Sequence, residues 1–159
     1  MIKSDLFNNI LFDIKISYGE DALVIWQIIQ KVQKILVTNK VLYHYRMNDN
    51  SLSHKKWEPE TKGSCSIVWN NISKETKEKW PQYSNIADAR YAIEDMWCLY
   101  YASLSDYPYD DHIRTRQKNI RKNLLKIIKT RLVSKNKIIT AFILAYFYKL
   151  GFLLKYTRK

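Results

Sequence analysis

The chain has 159 residues, of which 47% are apolar and 14% aromatic, and its net charge is +12. That length and apolar content exclude a disordered chain and a pair of large domains, and leave one domain with a real core. Only three Gly and three Pro occur, which argues against a many-turned β-sandwich and for long helices with few breaks.

The opening residues, Met1 to Asp5, lack the basic-then-apolar pattern of a secretory signal. Ser4 and Asp5 suit the N-cap of a short amphipathic turn that carries Leu6, Ile10 and Leu11. Residues 12–16 (FDIKI) alternate apolar and polar, the pattern of a short extended stretch. Tyr18-Gly19 breaks the chain. Residues 22–34 then form a helix that apolar side chains nearly encircle, which predicts burial on most sides. Glu20 and Asp21 stand in its first turn, where the macrodipole favours negative charge.

Residues 35–38 and 41–45 are β-type runs separated by Asn39-Lys40, and they predict a tight pair of strands or an extended bend. Residues 46–54 (RMNDNSLSH) form a polar, turn-rich loop. Beyond Pro59 the periodicity is helical over 60–79, 82–105, 110–133 and 137–155, with breaks at Trp80-Pro81 and at residues 105–108. The expected fold is therefore mainly α (α+β). A small two- to three-strand element near residues 12–16 and 35–46 lies in a segment spanning 1–57, and a helical segment spans 58–159.

Residues 138–154 contain one charge, Lys149, and fall short of the ~20 residues a spanning helix needs. Their large side chains recur on one stripe, with Ala141, Ala145 and Gly151 off it. A packed or interfacial helix is expected.

Two groups of residues carry chemistry. Glu20 and Asp21 either cap their helix or supply a general base, since a carboxylate held after a Gly turn can accept a proton from a hydroxyl nucleophile. Tyr43, His44 and Arg46, followed by Asn50, Ser51 and His54, combine cations with small hydroxyl and amide donors. Such a segment binds phosphate, or is an ordinary polar loop. Cys65 and Cys98 show no metal-ligand spacing, and fit a reducing cytosol.

Taken in order, Leu6-Phe7-x-x-Ile10-x-Phe12, Tyr18-Gly19-Glu20-Asp21, the apolar helix, Lys34-Ile35 and Leu42-Tyr43-x-Tyr45-Arg46-x-x-x-x-Ser51-x-Ser53 resemble family 2 glycosyltransferases of the GT-A fold. Those enzymes build bacterial surface polysaccharides, and the resemblance covers residues 4–54. It implies Asp21, with Glu20 beside it, as the base that deprotonates the acceptor hydroxyl in a displacement at the anomeric carbon. It also implies Tyr43, His44, Arg46, Asn50, Ser51 and His54 near the donor's diphosphate. A full-length member would use a nucleotide-sugar, a polysaccharide or lipid-linked acceptor, and a divalent Mg or Mn ion. This chain contains no Asp-x-Asp, no βαβ pattern and no Gly-rich turn, the parts that hold a uridine and its metal. The expectation is a C-terminal fragment of such an enzyme, inactive alone and binding no cofactor itself.

The basic tail suggests a partner. Residues 112–159 contain 14 Lys/Arg and no acid, whereas residues 1–111 are nearly balanced. Arg114, Arg116, Lys118, Arg121, Lys122, Lys126, Lys129 and Arg131 make a membrane-surface dock beside an aromatic-rich helix. Each cation near an anionic leaflet contributes about 1 kcal/mol. This places the protein in the cytoplasm, peripheral at the inner face of the plasma membrane. Nucleic acid is the competing partner, disfavoured because no known binding motif is apparent and the tail's large residues share one stripe as if buried. Self-association is a third expectation, with a second copy covering the apolar helix near Trp26.

Overall fold

The computed structural model describes residues 2–41, 43–44 and 56–157. Its helices are α1 (Glu20–Ile29), α2 (Ser64–Lys79), α3 (Ser84–Leu104), α4 (Asp111–Thr130) and α5 (Lys135–Tyr146). Among the described residues there are also three 3-10 segments: Ser4–Phe7 before α1, Pro81–Tyr83 between α2 and α3, and Tyr148–Thr157 after α5. No described helix is long and apolar enough to cross a membrane.

Helix α3 is the spine, touching α2, α4, α5 and the Tyr148–Thr157 segment. Its sequence explains this role. Ala89, Ala92, Met96 and Leu99 recur at helical spacing and are fully buried, and the alanines let neighbouring backbones approach closely. On α4, Ile113, Ile120 and Ile127 recur every seven residues and all point into the same core. The start of α4 is fixed by Asp110, whose carboxylate accepts the Ile113 N–H at 3.0 Å and the Tyr107 hydroxyl at 2.8 Å. Burial works against that charge, but the hydrogen bonds outweigh it and hold the carboxyl below its usual range.

Two buried carboxylates set the register of α2, α3 and α4. Asp95 is fully buried and accepts from Ser66 at 2.6 Å and Asn119 at 2.7 Å. Arg116 Nε lies 3.7 Å from it, an ion pair without a hydrogen bond, while Arg116 Nη2 donates to Gly63 O at 3.1 Å. Asp88 joins Lys77 and Lys126, both at 2.6 Å, and Ser73 at 2.7 Å. Desolvation opposes ionisation at Asp88, yet those donors hold its carboxyl below the ordinary value.

Helix α5 is packed against the bundle. Its small face is the buried one, formed by Ala141, Leu144 and Ala145, while Ile139, Phe142 and Tyr146 are exposed. The tight contact continues at Gly151, where an added Cβ would sit 2.5 Å from Ser103 Oγ on α3. Ile139, Phe142 and Tyr146 of the large stripe are thus left in solvent and Ile138 and Ile143 only partly buried, because α5 gains closest approach to α3 and α4 through its small residues.

The strand element is also corrected, since the described residues contain helices and no strand. At residues 12–16 the Asp13 carboxylate accepts the Lys15 N–H at 2.9 Å, and Ile16 N–H bonds Asp13 O at 3.0 Å. An Asx-type turn replaces the extended stretch. Residues 34–39 take no regular secondary structure, with Leu36 92% and Val37 88% exposed. β-propensity records fit to a sheet surface, and no neighbouring strand is present among the described residues to provide one. The rest of the expected pair, Leu42 and residues 45–46, lies outside the described residues. Helix α1 ends at Ile29, earlier than expected, and buries one face through Val24 and Ile28.

Candidate functional site: an aromatic cleft beside the Tyr-Gly-Glu-Asp turn

The turn before α1 is anchored to the helical bundle. Gly19 has φ 91°, a left-handed conformation that favours glycine, and a Cβ there would meet Cys65 Sγ at 2.9 Å. The Tyr18 N–H bonds Ser64 Oγ at 3.0 Å, and Ser64 Oγ also lies 3.1 Å from Tyr18 O. Residues 18–21 therefore sit on the N-terminus of α2. Asp21 is exposed, and its carboxylate accepts the Ala22 N–H at 2.7 Å; Glu20 is half-buried.

Beside this turn lies a cleft of about 300 Å³. Tyr18 forms one wall, and Trp57, Trp97 and Tyr101 supply further aromatic surface. Lys62, Arg90 and Glu94 are the charged groups, and Cys98 completes the lining. Arg90 bonds Glu94 at 2.6 Å and stacks its guanidinium on Trp69 at 4.1 Å. The Lys62 amine lies 5.5 Å from the Tyr101 ring centre, and burial lowers its pKa. Burial pushes the Cys98 thiol up to about 12 and the Cys65 thiol higher still, so both remain neutral thiols near neutral pH. Trp57 is buried, its ring 4.8 Å from Tyr107, and its indole N–H has no hydrogen-bond partner among the described residues.

A second cavity, an apolar groove of about 570 Å³, runs between α1, α2 and the start of α3. Trp26, Trp69, Ile72, Trp80, Ile86 and Leu132 are among its lining side chains. Trp26 and Trp80 meet edge to face at 5.7 Å, and Trp26 Nε1 donates to Glu75 at 2.5 Å.

The sequence-derived candidates divide as follows. Glu20 and Asp21 adjoin Tyr18 of the cleft. Tyr43 and His44 are exposed, and no hydrogen bond among the described residues joins them to Glu20 or Asp21. Arg46, Asn50, Ser51 and His54 lie outside the described residues. Arg114, Lys118, Arg121, Lys122, Lys129 and Arg131 are exposed on α4 or at its end. Lys126 is half-buried against Asp88. Arg116 is no surface residue: it is buried against Asp95, Gly63 and the Trp57 ring, because its position falls on the inward stripe of α4. The cleft residues Lys62, Arg90, Glu94, Trp97 and Tyr101 were not singled out by the sequence pattern. A signal existed, since 90, 94, 97 and 101 fall on one face of a helix and mix charge with aromatic surface.

Among the described residues no three of His, Cys, Asp or Glu are grouped to hold a metal ion. No family model, no curated protein and no solved structure matches this chain.

Proposed function

We propose that the chain is the acceptor-side portion of a family 2 glycosyltransferase, and that the aromatic cleft holds its glycan acceptor. The observation that carries this reading is the shared wall: Tyr18, of the Tyr-Gly-Glu-Asp turn, lines the same cleft as Trp57, Trp97 and Tyr101. A sugar ring has an apolar C–H face and a polar rim. Aromatic faces cover the first, and Lys62, Arg90 and Glu94 can bond the second. In this reading Asp21 takes the proton of the acceptor hydroxyl, with Glu20 half-buried beside it. Arg46 and its neighbours serve the donor diphosphate. The polypeptide alone transfers no sugar, since it contains no Asp-x-Asp. A saturation-transfer NMR screen with cellotriose, chitotriose and maltotriose tests the cleft. At least one trisaccharide should bind, and Trp97→Ala should abolish it; no binding at millimolar concentration would overturn the reading.

A specific observation also favours membrane attachment of the same chain. Leu125, Ile128 and Leu132 on α4 and just beyond it, and Ile139, Phe142 and Tyr146 on α5, are all exposed at helical spacing. Arg121 ties the two helices, donating to Ala145 O at 3.2 Å and lying over the Tyr146 ring at 5.7 Å. Exposed apolar side chains flanked by Lys122, Lys129 and Arg131 suit an anionic leaflet, with the protein peripheral at the inner face of the plasma membrane. Flotation with phosphatidylglycerol vesicles in low salt should retain the protein, and the double variant Leu125→Ser/Phe142→Ser should release it. Retention by DNA or RNA with a steep salt slope, and none by vesicles, would assign the surface to nucleic acid instead.

A further inference from the structure

Among the described residues, two apolar features lack a cover. Ile35, Leu36 and Val37 are consecutive apolar side chains, 62%, 92% and 88% exposed. A contiguous run of this kind in solvent marks a contact surface. The other feature is the groove between α1, α2 and the start of α3, with Trp26, Trp69 and Trp80 in its lining and about 570 Å³ of space. The two adjoin. Val32 lines the groove, and Ile35 follows three residues later, within about 11 Å of extended chain. The run nevertheless stands off its own groove, since Leu36 keeps nearly all of its surface in water.

The groove's polar side chains narrow what can fill it. Gln30 donates from Nε2 to Trp26 O and to Glu75, both at 3.4 Å, and accepts from Lys79 at 2.7 Å. Thr76 donates to Ile72 O at 2.7 Å. Arg90 bonds Glu94 at 2.6 Å, and its guanidinium lies on the Trp69 ring. These groups have partners within their own chain, so an aliphatic occupant breaks no hydrogen bond at them.

We propose that the occupant is a second copy of this chain: in a two-fold pair, residues 35–37 of each chain enter the groove of the other. An apolar run and a pocket on one molecule make a contact that either closes on itself or grows into a fibre. Here the run leaves from the rim of the groove, so a two-fold axis at that rim forms both contacts at once and closes the pair. Each chain then buries its own run and covers its partner's groove, which doubles the apolar area removed from water. The side chains enter while the backbone of the run stays at the rim, where water satisfies its amides. The pairing is independent of what the aromatic cleft binds.

Sedimentation equilibrium of the full chain tests this at about 0.15 M salt, where the repulsion between two chains of net charge +12 is screened beyond about 8 Å. The parent should shift from monomer to dimer as its concentration rises, and stop there. Leu36→Asp changes an exposed side chain outside any helix, and Ile86→Glu one that is 48% exposed in the groove lining. Circular dichroism should therefore show the helices intact in both. Each substitution should weaken dimerisation about tenfold or more. Mixed in equal amounts, the two variants should associate more tightly than either alone, because the intact run of the Ile86→Glu chain fits the intact groove of the Leu36→Asp chain. A parent that stays monomeric at about 1 mM, or dimers indifferent to either substitution, would overturn the pairing. A mixture no tighter than the single variants would overturn it too, by assigning the contact to groove against groove. Oligomers that grow without limit would do the same, since they require a contact that does not close.

Discussion

Residues 2–41 bury their apolar side chains around Ile10, Val24 and Ile28, with Leu6 and Val32 packed beside them. From Trp57 to Tyr148, by contrast, one continuous core links α3, α4 and α5 and includes buried side chains from each. The first cluster leaves Ile25, Ile29 and the run from Ile35 to Val37 in solvent, whereas the second also closes over Asp95, Arg116 and Asn123. The difference is one of cooperativity. A core that contains matched charges is expected to open as a unit, while the small apolar cluster around α1 is expected to open by itself. The candidate cleft stands between the two regions, with Tyr18 from the N-terminal segment and Trp57, Trp97 and Tyr101 from the helical one.

The largest expected effect lies in the larger core. Arg116→Ala leaves Asp95 without its cation in a buried site, and should lower unfolding free energy by about 3–5 kcal/mol. Urea denaturation followed by circular dichroism would measure it. A loss below 1 kcal/mol would mean that the buried pair does not organise this core.

Asp95 gives the next effect, through pH. Burial raises its carboxyl to about 6, above the ~3.9 of an unfolded aspartate. Between those values the native protein holds a proton that the unfolded chain has lost. Stability contributed by this group therefore falls as pH rises through that window, by ~3 kcal/mol, and levels off above it. Asp88, Asp110 and Glu75, all held low, act in the opposite sense and cost stability as pH falls below about 4. Asp95→Asn should flatten the melting temperature between pH 4 and 6, relative to the parent chain, on the order of this window. An unchanged slope would remove Asp95 as its source.

The smallest effect sharpens the contrast itself. Ile28→Ala should speed amide exchange across α1 while leaving the slowest amides of α3 and α4 nearly unchanged. Uniform loss of protection throughout the chain would show that the two clusters unfold together, and would break the comparison.

The helical segment was legible because its residues obey local rules. Helical periodicity over 60–79, 82–105 and 110–133 matches α2, α3 and α4 to within a few residues, and Asp110 marks a boundary by its own side chain. The strand pair was misread because Ile35, Val37 and Val41 carry a preference that only a neighbouring strand can use. The candidate site was half legible. Tyr18 to Asp21 stood out as a motif, but Arg90, Glu94, Trp97 and Tyr101 acquire meaning only where α3 passes the turn.

The amino-acid order by itself set the helices, their breaks, the basic tail and the turn that requires Gly19, since each depends on neighbours within a few positions. Which face of α5 is buried, where Arg116 points and what Tyr18 looks onto were decided by tertiary packing. Those outcomes depend on how closely two backbones approach and on which charges must be matched once water is gone, and residues far apart in the chain determine both.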